Sequence, residues 1–260
     1  MQNKPKKSLG QNFLMDKNIL KKIIKIGDIN KDDHILEVGP GTGNLTRLLV
    51  ESKPKKITVV EKDNKLSDIL KNNFDHNIQV INADILNMPN KFYNQKYKIF
   101  GNLPYNISSQ ILSKWCLNDK FKFDNLILMF QKEVGERIIA KVNTKNYSRI
   151  TILSNWKFNI NKICEINPGS FFPKPKIKSM LLEFTPKTSY IKIKDPKNLE
   201  KLTKFFFSER RKMVKKKFKK LFYDYKNFLK QIGIDETCRP QNISIENYLL
   251  IVKELEKNSD

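Results

Sequence analysis

The sequence predicts a mainly parallel α/β sheet with helices on both faces, followed by a small all-α domain. Three observations predict it. Over the first two-thirds of the chain, short apolar runs alternate with helical patterns, as in units where a crossover helix links parallel strands. A glycine-rich turn, Gly39 to Gly43, follows the first of those runs, where a strand feeds directly into a helix. Beyond Phe184 the alternation stops, and from about Leu199 onward the patterns are helical.

In chain order the expected strands are Ile35–Val38, Ile57–Val60, Ile78–Asn82, Ile99–Asn102, Leu126–Phe130, Ile150–Asn155 and Met180–Phe184. Each is a run of four to six residues, short for a helix. Pro186 and Pro196 bracket a polar stretch with little periodicity, so 187–197 is read as a linker. The domains are therefore expected at 1–186 and 187–260, within what 260 residues can fold around one sizeable core. Near the end, Arg239-Pro240 reads as a turn, and Ser244 as the N-cap of a last helix. No internal repeat is present.

Composition narrows the partners. Fifty basic against 27 acidic residues give a formal charge of +23, which favours a polyanion such as nucleic acid. Only six of the 50 are Arg, a bias that AT-rich coding also produces on solvated faces. Clustering is harder to explain that way: from Arg210 to Lys220, eight of eleven residues are basic, with Val214, Phe218, Leu221 and Phe222 at helical spacing. This reads as an amphipathic helix with a cationic face suited to phosphates. Met1 to Lys7 is polar and basic with no apolar stretch after it, and no run approaches membrane-spanning length, so a cytoplasmic chain without membrane association is expected. Cys116, Cys164 and Cys238 are isolated and the only histidines are His34 and His76, so neither a metal site nor a disulfide framework is expected.

Four strand ends carry the candidate chemistry. The first gives Glu37-Val38-Gly39-Pro40-Gly41-Thr42-Gly43, and the second gives Glu61, 18 residues past Gly43 and placed to accept from ribose hydroxyls. The spacing is Gly-x-Gly-x-Gly, and the turn carries an acid instead of donors for a pyrophosphate. That favours S-adenosylmethionine over a dinucleotide, with a plain glycine turn as the other reading. The third strand ends in Ala83-Asp84, an acceptor for an adenine amino group or simply a helix N-cap. The fourth ends in Gly101-Asn102-Leu103-Pro104-Tyr105, which combines a side-chain amide, a carbonyl held out of ladder pairing by proline, and an aromatic face. Asn102 and the Leu103 carbonyl suit the two N–H groups of an exocyclic amine, and Tyr105 could stack on its base. An ordinary strand-to-turn sequence would use the same residue types.

Taken together these segments resemble the KsgA-type family of ribosomal RNA adenine N6-dimethyltransferases. Lys6-Lys7-Ser8-Leu9-Gly10-Gln11-Asn12-Phe13-Leu14 is similar to the family's N-terminal block, and Glu37 to Gly43, Glu61, Ala83-Asp84 and Gly101 to Ser108 to its later motifs. Gln131 to Val134, Phe171 to Lys176, Arg210-Arg211-Lys212 and Arg239 to Ser244 extend the match. The resemblance implies a Rossmann-like S-adenosylmethionine-dependent methyltransferase sheet with a small C-terminal all-α domain. It places Asn12 and Leu14 beside the cofactor with Gly39, Gly41, Glu61, Asp84 and Asn102, and sets Phe171 on the base face opposite Tyr105. Phe172 is expected to be a packing residue.

The resemblance also implies a substrate: two adjacent adenines in a hairpin loop near the 3′ end of 16S rRNA, presented to a monomeric enzyme on an assembling small subunit. Transfer would be an in-line displacement at the methyl carbon, with alignment and dipoles carrying the catalysis. Arg210, Arg211 and Lys212 are expected to bind RNA phosphates. The rivals are an antibiotic-resistance dimethyltransferase acting on 23S rRNA, a DNA adenine methyltransferase, and a ribosome-assembly or transcription factor that keeps the fold without catalysis.

Overall fold

A computed structural model describes residue 5, residues 10–89, residue 92 and residues 95–258. Lys6 to Leu9 of the N-terminal motif lie outside the described residues. The chain packs as two compact units. The first comprises residues 1–115, 120–135 and 159–186, and the second residues 116–119, 136–158 and 187–260.

In the first unit a two-residue strand, β1 (Phe13–Leu14), precedes helix α1 (Lys17–Gly27). The Asp16 carboxylate starts that helix by accepting from the backbone N–H groups of Asn18 and Ile19, which would otherwise lack partners. There follow β2 (His34–Val38), α2 (Asn44–Glu51), β3 (Lys56–Glu61), α3 (Asn64–Phe74), β4 (Gln79–Asn82), β5 (Tyr97–Asn102), α4 (Ser108–Cys116), β6 (Phe123–Gln131) and α5 (Lys132–Ile138). After α6 (Arg149–Lys157), which belongs to the second unit, come β7 (Phe158–Ile166), β8 (Phe171–Phe172) and β9 (Ser179–Pro186).

The main sheet has seven strands in the order β4-β3-β2-β5-β6-β9-β7. The five from β4 to β6 run parallel and β9 is antiparallel to β6. The centre reads as near-continuous apolar sequence because both faces are covered: Ile35, Leu36, Ile99, Phe100, Leu126 and Leu128 are all fully buried. Five of the expected strands lie in this parallel set and a sixth is β9.

The seventh expectation fails. Ile150–Asn155 lies in α6, not in a strand. A short apolar run does not by itself distinguish a buried strand from a buried helix, and the local polar groups decide it here. The Thr151 hydroxyl accepts from the Ser148 N–H at 2.9 Å, the Ser154 hydroxyl donates to the Ile150 carbonyl at 2.6 Å, and the Asn155 amide donates to the Ile138 carbonyl at 2.8 Å. The strand the sheet uses in its place is β7, whose opening Phe158-Asn159-Ile160-Asn161 alternation marks it.

The second unit is helical, with α6 followed by α7 (Pro196–Phe207), α8 (Lys215–Leu221), α9 (Tyr225–Gln231) and α10 (Ile245–Lys257). Pro196 is the first residue of α7, capped by Asp195, so the irregular stretch ends one residue before it. Ser244 caps α10 as expected, accepting from the Asn247 N–H at 3.1 Å. The Glu256 carboxylate accepts from Lys194 N–H, Asp195 N–H and the Asn198 amide, which ties the start of α7 to α10. Residues 136–158 also pack with this unit, on the far side of the 186/187 junction expected from sequence.

Candidate active site

Parallel register brings four strand ends to one edge of the sheet. Val38 lies opposite both Val60 and Gly101, and Glu61 opposite Asn82. The turn after β2, the carboxylate closing β3, Asp84 just past β4 and Asn102 closing β5 therefore line one cleft, open at its mouth.

The turn after β2 is built on glycines at positive φ. Gly41 has φ +59°, and a Cβ there would sit 2.6 Å from the Phe13 ring, so both conformation and space require glycine. Its N–H donates to Glu61 Oε2 at 3.2 Å while the Asp63 N–H donates to Oε1 at 2.9 Å. Burial pushes the Glu61 carboxyl above its ordinary range, and these N–H groups act against that. Each carboxylate oxygen keeps a further lone pair, so Glu61 can still accept hydroxyls from the cleft.

Glu37 lies under the same turn. It is fully buried and accepts from the Thr46 hydroxyl at 2.6 Å. Burial pushes its carboxyl up to about 8, against the Thr46 hydrogen bond and with the help of the Glu61 charge. Asp84 behaves in the opposite way. Burial works against its charge, but Lys62 Nζ at 2.9 Å and the Leu86 N–H at 2.9 Å outweigh it and hold the carboxyl below its usual range.

A strap from Gly10 to Leu14 crosses this edge. The Asn102 amide donates to the Asn12 carbonyl at 2.6 Å, the Asn44 amide to the Leu14 carbonyl at 2.8 Å, and the Gln11 amide to Asp63 at 3.2 Å. Asn12 lines the main cleft. Leu14 is buried and borders a second, smaller cavity with Glu37, Asn44 and Asn102. Sequence reasoning overlooked Phe13, Lys62 and Ile85 as lining residues. Lys62 had a signal, because it sits between the two acids of Glu61-Lys62-Asp63.

Asn102 spends its amide N–H on the strap, which orients Oδ1. No described group donates to that oxygen or to the Leu103 carbonyl, so two consecutive residues that line the cleft each keep an open acceptor. The Leu103 side chain is buried beneath them, and Pro104 lines the cleft. Tyr105 also lines it, with its hydroxyl 2.5 Å from Ser179 Oγ, and burial raises its phenol. The tether fixes the ring's direction.

The two phenylalanines differ from expectation in burial. Phe171 is 4% exposed, pairs with Leu14 between β1 and β8, and packs in the core, so it does not line the cleft. Phe172, expected to pack, is 58% exposed. Consecutive residues of a strand face opposite sides, and the pairing of Phe13 with Phe172 sends Phe171 inward.

The comparisons with known proteins fit this geometry. The family described as "Ribosomal RNA adenine dimethylase" matches residues 2–257. The chain belongs to that family. A protein of Pelagibacter ubique (strain HTCC1062) named "Ribosomal RNA small subunit methyltransferase A" is 54% identical over 256 residues, 97% of each chain. One of the same name from Wolbachia pipientis subsp. Culex pipiens (strain wPip) is 38% identical, again over 97% of each chain. A solved dimethyladenosine transferase from Plasmodium falciparum superposes with a TM-score of 0.79 at 27% identity, covering 95% of this chain and 98% of that one. The 23S rRNA methyltransferase ErmE shares the fold, with a TM-score of 0.70 at 22% identity over 94% of this chain and 99% of that one.

In this adenine dimethylase the basic cluster of the helical unit is not one continuous helical face. Residues 208–211 form a turn, and the helix begins only at Lys215. Arg210 turns its guanidinium onto the Lys145 carbonyl, Lys212 pairs with Glu209 at 2.7 Å, and Lys215 with Glu236 at 2.6 Å. Lys217 is buried and donates to the Phe205 carbonyl at 2.6 Å. Arg211, Lys216, Lys219 and Lys220 are exposed.

Proposed function

We propose that this chain dimethylates N6 of two adjacent adenines in a hairpin loop near the 3′ end of 16S rRNA, within an assembling small ribosomal subunit. The observation that carries the chemistry is the pair of open acceptors at Asn102 Oδ1 and the Leu103 carbonyl. An adenine N6 lone pair is delocalised into the ring. Two acceptors holding its N–H groups draw the nitrogen towards the pyramidal form that attacks. After the first methyl is added one N–H remains, so one acceptor suffices for the second round and the other side must accept bulk.

S-adenosylmethionine supplies the methyl group and a neutral leaving group. The residues fit it: Glu61 offers lone pairs for ribose hydroxyls, Asp84 accepts from an amino group, and the strap at Asn12 closes over the edge. Pro104 keeps the Leu103 carbonyl out of strand pairing, and the tethered Tyr105 ring offers a face to the target base. Exposed Phe172 replaces Phe171 as the aromatic available to RNA. Arg211, Lys216, Lys219 and Lys220 serve phosphates in this reading.

The small-subunit substrate is supported by relatives of that name at 54% and 38% identity, against a fold-level likeness to ErmE. The test is transfer of labelled methyl from S-adenosylmethionine to unmethylated small subunits, naked rRNA and large subunits, by wild type and Asn102→Ala. Dimethyladenine confined to small-subunit rRNA and lost in the variant is expected. Label on large-subunit rRNA would overturn the substrate, and particle binding without transfer would leave an assembly factor.

A further inference from the structure

The cleft of a methyl donor's enzyme must distinguish a sulfonium from the thioether it becomes, and the two differ by one positive charge. Glu37 is a buried acid in the cavity that adjoins this cleft. It lies in β2 one residue before the terminal Val38, is 2% exposed, and borders the smaller cavity under the glycine turn, which shares Asn102, Gly39 and Phe13 with the main cleft. One oxygen accepts from Thr46, and no described group donates to the other. A fully buried carboxyl with one hydrogen bond and no cation against it holds its proton. The groups around it do not change that balance. From β3 comes Glu61, a second acid; from α2, Thr46; from β5, the Asn102 amide; from β1, α1 and β6 the apolar Leu14, Leu20 and Met129.

We propose that Glu37 is a charge sensor for the co-substrate: neutral in the free protein and in the product complex, and ionised when the sulfonium is bound, so that S-adenosylmethionine binding expels a proton. The inference rests on S-adenosylmethionine being the methyl donor. The protons balance over a turnover. Binding sends one from Glu37 to solvent. Transfer removes one from N6 as the N–C bond forms and the S–C bond breaks, and Glu37 takes one up as the positive charge disappears. Chemistry on the enzyme is then neutral in protons, and the product complex loses the ion pair that favoured the substrate. The carboxyl's elevation to about 8 places the change at physiological pH.

The experiment is titration calorimetry of the full chain at pH 7.5 with S-adenosylmethionine and with S-adenosylhomocysteine, in two buffers of different ionisation enthalpy. Both ligands carry the ribose, amino and carboxylate groups, but the sulfonium also lowers the pKa of its own ligand's amino group, so the Glu37 contribution is the part of the difference that is lost in Glu37→Gln. Roughly half a proton or more should be released with S-adenosylmethionine beyond that seen with the homocysteine, and the affinity ratio of the two should rise with pH from 6.5 to 8.5. Glu37→Gln should remove that contribution from both effects. Thr46→Val, which removes the one hydrogen bond favouring the charged form, should move the midpoint of the effect to higher pH, and it decides the matter with the wild type if Glu37→Gln does not fold. A difference in proton release between the two ligands that is the same in wild type and in Glu37→Gln would overturn the proposal. Absence of binding by either ligand would instead overturn the co-substrate on which it rests.

Discussion

At the scale of single residues, the site works by leaving some polar groups open and tying others down. Asn102 shows both, its amide held by the Asn12 carbonyl at 2.6 Å and its oxygen receiving no hydrogen bond from a described group. In the proposed transfer, Asn102→Ala removes an acceptor for the charge that develops on the amine, a change that costs on the order of 100- to 1,000-fold in rate at comparable preorganised sites. Single-turnover transfer should fall by about that much, and a loss below tenfold would mean that the Leu103 carbonyl suffices. Glu37 gives a second expectation, in stability. Its folded carboxyl titrates near 8 against an ordinary 4.5, so between those values the folded state binds more protons than the unfolded one. Stability contributed by Glu37 is therefore lost as pH rises through that window. The melting temperature of the ligand-free protein should fall from pH 6 to pH 8 more steeply in wild type than in Glu37→Gln. Equal slopes would place the proton elsewhere.

At the scale of elements, what the sequence disclosed depended on whether a neighbour in sequence or a neighbour in space decides the outcome. The parallel strands and their terminal residues were legible, because apolar runs, a glycine turn, Glu61 and Asp84 after two strands and Asn102 closing a third are local signals. Glu61, Asp84 and Asn102 met at one edge because parallel register follows from the crossover helices. The fate of Ile150–Asn155 was not legible, since hydrogen bonds of Ser148 and Asn155 decide it, and the latter reaches back to Ile138. Phe171 is buried and Phe172 exposed because pairing of β8 with a strand more than 150 residues earlier sets which one faces inward. The basic run is the third case: composition cannot tell a cation spent on a carbonyl from one left for a ligand. Arg210→Met should lower the melting temperature of the protein while leaving the salt dependence of RNA binding nearly unchanged. Arg211→Glu with Lys216→Glu should do the reverse, reducing the slope of log affinity against log salt by roughly 0.7–0.9 for each phosphate that is no longer neutralised. If both variants changed the slope alike, Arg210 would reach RNA in spite of its carbonyl partner.

At the scale of the whole molecule, two opposite electrostatic environments coexist. The chain carries +23 overall, yet Glu61, Asp63 and Asp84 gather at one edge of the sheet. Phosphates are drawn to the lysine-rich exterior and repelled from the acidic cleft, while a cationic co-substrate meets the reverse. The arrangement separates the two ligands without a steric gate. It also predicts a separation in salt. RNA binding displaces counterions from the phosphate backbone, so raising salt from about 50 to 200 mM should weaken it by roughly 100-fold or more if six phosphates are engaged. Binding of S-adenosylmethionine in a largely buried cleft is screened far less and should change by no more than about threefold. In transfer assays at saturating co-substrate, kcat/KM for RNA should therefore collapse with salt while kcat holds. A kcat that fell in step with kcat/KM would show that salt reaches the aligned adenine itself, and that the basic surface sets the geometry of attack as well as the encounter.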